Sequence, residues 1–162
     1  MKRYLSLICL LLGACSGLPE RVKDVPVTDI SYTLASRNLN TYEGTSVRWG
    51  GVIVDVKNEE NFTLLQVLSY PLTFYHRPDL RERSEGRFVI KSPKFLDPAI
   101  YVEGREITVA GTIKGDIERT IDEDTVRLPL LFSETIYLWP VADGYYGSPY
   151  HWRRGYHMQY WF

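Results

Sequence analysis

Cysteine is scarce in this chain of 162 residues, which has only Cys9 and Cys15. Neither lies in the body of the chain, so no disulfide framework can brace it. Long apolar runs are missing as well. A membrane-spanning helix needs roughly 20 residues, whereas the N-terminal run Tyr4 to Leu12 has about nine. There is no excess of charge: 19 Lys and Arg face 20 Asp and Glu. A body so nearly balanced gives no electrostatic reason to expect a nucleic-acid partner. Histidine occurs only as His76, His151 and His157, a poor basis for a zinc site, which wants three or four convergent ligands. No G-x-S-x-G elbow is present for a serine nucleophile. Asp122, Glu123 and Asp124 form the one tight carboxylate cluster, without the spacing or glycine of an EF-hand loop, and read as a solvated turn. No repeat is evident, and the length suits one domain. These absences leave catalytic residues and metal ligands unassigned.

What is present begins at the N-terminus. Lys2 and Arg3 precede the apolar run, and Gly13-Ala14-Cys15 follows it. A positive start, a short apolar core and small residues make an export signal rather than a lasting anchor. Leu12-Gly13-Ala14-Cys15 resembles the bacterial lipobox, which implies cleavage between Ala14 and Cys15. It also implies a diacylglyceryl group on the Cys15 sulfur and an acyl chain on its amino group, and no other cofactor. Several acyl chains anchor stably where one alone is marginal. Losing Lys2 and Arg3 moves the formal charge from −1 to about −3. Ser16, in place of aspartate, matches the sorting rule for the outer membrane of Gram-negative bacteria. That implies an outer-membrane lipid partner and a domain facing the periplasm.

Beyond the signal (residues 1–14), residues 15–45 read as the lipidated terminus, a polar tether from Gly17 to Val27 and a short helix over Ile30 to Arg37 capped by Thr28 or Asp29. From Ser46 the pattern is β. Val47 and Trp49 alternate with polar residues, then Val52, Val54 and Val56 continue one residue out of phase. This predicts a bulge or bend at Gly50-Gly51. Strands follow over Phe62 to Tyr70, Arg87 to Lys91 and Arg105 to Ile113. A long polar loop (Pro71 to Gly86) separates the first two of these, and a segment with one helical turn at Leu96-Asp97-Pro98 precedes the third. Gly115 to Thr125 reads as an acidic loop, and Val126 to Trp139 as one or two strands interrupted by Pro129. Three strands, a short helical linker and two more strands give an all-β chain of five to six strands. Residues 46–141 are then an OB-like barrel, with its interior filled by side chains.

Several segments together resemble, in order and spacing, the Slp family of outer-membrane lipoproteins, named for a starvation-inducible member. They are Val47-Arg48-Trp49-Gly50-Gly51, Tyr70-Pro71-Leu72, Arg77-Pro78, Gly86-Arg87-Phe88, Leu96-Asp97-Pro98, Gly104-Arg105 with Thr108-Val109, and Tyr137-Leu138-Trp139-Pro140. The lipobox and the aromatic tail fit as well. The resemblance implies a small lipid-anchored envelope protein of stationary-phase or stress conditions, and it brings no catalytic residues with it. The acidic stretch from Asp116 to Asp124 departs from a family tendency to glycine there.

Two regions are candidates for contact with a ligand or membrane. Arg48 and Trp49 stand beside the glycine pair, with Arg48 either facing a ligand or simply an outward charge. In the tail, residues 142–162, Tyr145, Tyr146, Trp152, Arg153, Arg154 and Trp161 mix aromatic and cationic groups. Such residues suit lipid headgroups, the flat faces of an envelope glycan, or another envelope protein; they can equally pack on themselves. The sequence thus points to a non-enzymatic binding or structural lipoprotein. The alternative is an envelope hydrolase or glycan-modifying enzyme, which would need paired carboxylates or a nucleophile and base meeting in a cleft.

Overall fold

The computed structural model describes residues 18–121 and 123–141. Its frame is five strands: β1 (Ser46–Asn58), β2 (Thr63–Tyr70), β3 (Gly86–Ser92), β4 (Glu106–Ile121) and β5 (Asp124–Leu138). They close a barrel in the order β1-β2-β3-β5-β4, with β4 pairing back onto β1 from Val52–Glu106 to Ser46–Thr112. Every neighbouring pair is antiparallel except β3 and β5, which run parallel through Val89–Leu130 to Lys91–Phe132. This is the five-stranded Greek-key order of an OB barrel, as the order of elements along the sequence predicted. Among the described residues no helix is long and apolar enough to cross a membrane.

Period-two alternation decides what fills the barrel. Val47, Trp49 and Ile53 of β1, Leu65 and Val67 of β2, and Phe88 and Ile90 of β3 point inward. Ile107, Val109 and Ile113 of β4 and Leu131 of β5 complete one buried cluster. Two plugs close the ends. At one end, Leu96 is held by its amide donating to Thr63 Oγ1 (3.2 Å) and its carbonyl accepting from Asn58 Nδ2 (3.2 Å). Its segment is a single turn, in which Ile100 and Tyr101 amides both reach the Asp97 carbonyl at 2.9 Å. The predicted helical linker is therefore one turn, and the helices lie before β1: α1 (Glu20–Lys23), α2 (Tyr32–Arg37) and α3 (Leu39–Tyr42). At the other end α2 is the plug. Tyr32 meets Trp49 edge-on at 5.4 Å, Trp49 meets Phe88 edge-on at 5.4 Å, and the Tyr32 hydroxyl donates to the Arg87 carbonyl. The cap of α2 is Ser31, whose Oγ accepts from the Leu34 amide, and not Thr28 or Asp29.

Three other sequence readings change. The phase break in β1 lies between Ile53 and Asp55, not at the glycines. Gly51 keeps the phase of Val47 and Trp49, and Ile53 rather than Val52 fills the core. The glycines serve close approach instead. A Cβ on Gly51 would overlap the Leu68 carbonyl oxygen, and one on Gly50 would stand 2.6 Å from Leu72 Cδ2 and 2.9 Å from the Ile107 carbonyl oxygen. Gly115 to Thr125 is not a loop: β4 and β5 stay paired out to Ile121–Asp124 as a ribbon. The ribbon is amphipathic. Ile117, Ile121, Val126, Leu128 and Leu130 pack on Leu64, Val89 and Phe62, outside β2 and β3, while Asp116 and Glu118 flank Arg127 at 3.7 and 3.6 Å on its exposed side. Finally, Pro129 does not interrupt β5. It stands where the β4–β5 register shifts between Ile113 and Asp116, and just before the parallel pairing to β3 begins at Leu130, so its missing N–H breaks little.

Gly51→Ala should push the Leu68 backbone aside and lower stability by about 2–3 kcal/mol, as overpacking against an unyielding neighbour does. Urea unfolding checks this: an unchanged midpoint would show that β1 has room there.

Candidate functional site

Two segments outside the barrel lie side by side over β1, β4 and β5. The first is a strap, Leu18 to Val27, within the segment from Gly17 to Val27 that the sequence suggested was a polar tether. Instead Leu18 and Val22 are buried with Ala110 and Trp139, and Val25, Val27 and Tyr137 pack around them. The Thr28 amide donates to the Ser46 carbonyl at 2.7 Å, tying the end of the strap to β1. The second is the β2–β3 loop. Its stem carries an isolated bridge between Leu72 and Pro78, lying over Gly50 where a side chain would not fit. Its tip is a tight turn. Thr73 exchanges backbone hydrogen bonds with His76 and Arg77, both at 2.8 Å, and His76 adopts a left-handed φ of 62°.

Trp139 joins the two. It follows β5 with 5% of its surface exposed, and its indole N–H donates to Thr108 Oγ1 at 2.9 Å. The Thr108 hydroxyl donates in turn to the His76 carbonyl at 2.6 Å. Arg77 places its guanidinium 5.5 Å above the Trp139 ring and binds Glu106 through both oxygens, at 2.6 and 2.9 Å. That bidentate bond to Glu106 holds the Arg77 proton more firmly than usual. The Trp139 carbonyl accepts from Arg105 at 2.9 Å. Loop, barrel and strap are thus locked through one indole.

Arg48 works on the strap. Its Nη2 donates to the Val22 and Lys23 carbonyls, at 2.9 and 2.7 Å, at the C-terminal end of α1. There a cation satisfies carbonyls that the short helix leaves free. The sequence left open a ligand-facing role or an outward charge; these bonds turn Nη2 of the guanidinium to the chain's own backbone. Trp49 is turned inward, buried in the core with its N–H donating to the Ile30 carbonyl at 2.9 Å. Arg48 also borders an open cleft of about 200 Å³ with Asp29, Tyr32, Ser69 and Glu85. The Glu85 carboxylate there accepts from the Thr33 hydroxyl at 2.8 Å. The remaining candidates, Ala14, Cys15, Tyr145, Tyr146, Trp152, Arg153, Arg154 and Trp161, lie outside the described residues, as do Asp122, His151 and His157. Among the described residues no cluster of His, Cys, Asp and Glu is placed to hold a metal ion.

Sequence reasoning missed Phe74 and Tyr75, the apex of the loop turn, which are 91% and 68% exposed and pack edge-on at 5.5 Å. Beside them Leu18, Lys23, Thr73 and His76 line a shallow, mainly apolar depression shared by strap and loop. The signal was available as two adjacent aromatics in a polar loop, but only the fold shows that a tight turn presents them.

This face draws together most of the segments on which the family resemblance rests: Arg48 to Gly51, Tyr70 to Leu72, Arg77-Pro78, Gly104-Arg105 with Thr108, and Tyr137 to Trp139. The chain belongs to the outer membrane lipoprotein Slp family, whose model matches residues 12–162. It is accordingly an outer-membrane lipoprotein. It is similar to the Outer membrane protein Slp of Escherichia coli (strain K12), 34% identical over 108 residues, covering 65% of this chain and 57% of that one. It is also similar to the Uncharacterized lipoprotein YeaY of the same strain, 33% identical over 115 residues, covering 69% of this chain and 58% of that one. The matched part is less than two thirds of either relative's length. Among solved structures, an OBody bound to hen egg-white lysozyme is similar with a TM-score of 0.42 and 10% identity, covering 70% of this chain and 96% of that one. That score is too low to carry an argument; the fold assignment rests on strand order and closure.

Arg48→Met keeps the apolar stem but removes the bonds to Val22 and Lys23. Losing hydrogen bonds of a charged donor should loosen the strap by about 1.4 kcal/mol, or roughly tenfold faster tryptic cleavage after Lys23. Unchanged cleavage would mean that Leu18 and Val22 hold the strap alone. His76 gives a pH test. Its partial burial, then the positive charges of Arg48 and Lys23, lower its pKa, against a smaller opposing pull from Asp29. A base whose folded pKa is lowered contributes stability that is present above its ordinary pKa, about 6.5, and lost as pH falls towards the folded value. Protection of the amides over residues 72–78, as hydrogen exchange corrected for the intrinsic rate at each pH, should therefore fall on acidification below about pH 6.5, and His76→Gln should flatten that dependence.

Proposed function

We propose that this lipoprotein is non-enzymatic and works at the envelope membrane as a binding or supporting module, in stationary-phase or stress conditions. The observation that carries the reading is the seating of Leu18 and Val22 against Ala110 and Trp139. It leaves two residues, Ser16 and Gly17, between Cys15, the proposed site of diacylglyceryl and acyl attachment, and the packed body of the protein. The three residue steps from Cys15 to Leu18 span roughly 10 Å at full stretch. A barrel on so short a lead rides against the bilayer and does not range across the periplasm. Ser16 favours the outer membrane with the barrel on the periplasmic side. The lipid would be its first partner, with envelope glycan or another envelope protein as the further one, through the tail or the strap–loop face.

Two observations support the rest of the reading. The β2–β3 face through which OB barrels take oligonucleotides is covered by the chain's own β4–β5 ribbon, which disfavours nucleic acid. The closest carboxylate contacts among the described residues, Glu106 with Arg77 and Asp79 with Arg81, serve to fix the β2–β3 loop, which favours a structural use of these groups over a catalytic one.

Intact mass and membrane fractionation of wild type beside Cys15→Ala test the anchor. Wild type should carry acyl mass and sediment with the outer membrane, and the variant should remain soluble or unprocessed. Two identical, unlipidated soluble species would overturn the reading.

A further inference from the structure

We propose that the Phe74–Tyr75 turn is a second, non-covalent membrane contact, a wedge that docks into the lipid surface and fixes the orientation of the barrel on it. The inference rests on the lipid anchor at Cys15 and adds to it a surface and a posture.

The exposure of this pair is built into the fold. Phe74 is 91% and Tyr75 68% exposed, on a turn closed by the Thr73–His76 and Thr73–Arg77 hydrogen bonds and by the left-handed backbone of His76. A β-branched or bulky residue rarely takes that φ, and histidine takes it at some cost. The base of the turn is clamped to β4 by Thr108 on the His76 carbonyl and by Glu106 on Arg77. A rigid turn that holds two large aromatics in water forfeits their burial, which is compensated once they enter an apolar phase.

The position of the pair says which apolar phase. Leu18 and Lys23 border the same depression as Phe74, Tyr75 and His76, and Leu18 is the third residue after Cys15. The lipid on Cys15 therefore enters the bilayer within roughly 10 Å of chain from a residue beside the aromatic tip. A phenol and a phenyl ring suit the headgroup–acyl boundary, and Lys23 at the rim suits anionic headgroups. A second highly exposed phenylalanine among the described residues, Phe95, is 72% exposed beside the β1–β2 turn, beyond the Thr63 end of β2. It faces away from the anchor by the length of that strand, roughly 25 Å.

The test uses the full chain, acylated in the cell and reconstituted into vesicles of phosphatidylethanolamine and phosphatidylglycerol. Phe74→Cys and Phe95→Cys are labelled separately with an environment-sensitive fluorophore. The lipid occupies the Cys15 sulfur, and Cys9 leaves with the signal. The label at 74 should shift to shorter wavelength on reconstitution and be quenched several-fold more by nitroxide-bearing acyl chains than the label at 95. Equal quenching overturns the proposal. So does a blue-shifted label at 74 that ignores the nitroxide, because the tip would then be covered by protein, whether the tail or a second copy. Intact mass on the same samples separates the two ideas. Acylated protein with an unquenched tip refutes the wedge alone, whereas unacylated protein refutes the anchor and the wedge with it.

Discussion

The burial of Trp139 outside the barrel is the contact on which the other features of this face depend. An indole on the outer side of a strand end would ordinarily stand in water. Here its N–H is taken by Thr108, Arg77 lies over its ring, Tyr137 packs against it at right angles, and the apolar residues of the strap share its cluster. Each of those partners does a second thing. Thr108 holds the carbonyl of His76, Arg77 fixes the loop to Glu106, and Leu18 and Val22 bring the start of the body onto the sheet. Removing the indole would leave a buried hydroxyl, a half-buried guanidinium and two apolar side chains without their common neighbour. The polar losses alone are each of order 1–3 kcal/mol.

How legible this was depended on which signal each element uses. The five strands were readable because inward and outward residues alternate with period two, and the OB order followed from a long break between the third and fourth strands. The ribbon was misread because its charges, from Asp116 to Asp124, resemble a loop. Only half of that alternation is charged; the apolar half, Ile117 to Leu130, finds its partner on β2 and β3, far along the sequence. The same limit applies to β1. A glycine pair within a changing pattern fits a bulge equally well as close contact with Leu68 and Leu72, and the choice lies with strands not adjacent in sequence.

Arg48 shows why site residues were less legible than the fold. An arginine beside tryptophan and glycine reads as a ligand contact when its neighbours along the chain are the only ones known. Its partners are carbonyls of α1, some 25 residues earlier, and α1 is a single turn with no strong pattern of its own. The cation satisfies a helix end. Trp49 has the same explanation: alternation with Val47 placed it on the inner face, and its N–H was answered by the Ile30 carbonyl.

The arrangement gives the barrel two unlike flanks. On β2 and β3 the chain covers its own surface with the ribbon, filling the place where barrels of this order often take extended ligands. On β1, β4 and β5 it lays down the strap and the loop, and leaves two aromatics outside. A protein free in solution gains nothing from the second choice, since Phe74 and Tyr75 forfeit their burial there. With the proposed anchor at Cys15 confining it near a bilayer, the same choice is favourable, because the entropy of bringing the tip to the surface has already been met by that anchor. A weak aromatic contact is then sufficient to set which flank faces lipid and which faces the periplasm. In the proposed arrangement the covalent lipid holds the protein at the membrane, and the rigid turn determines which way it stands.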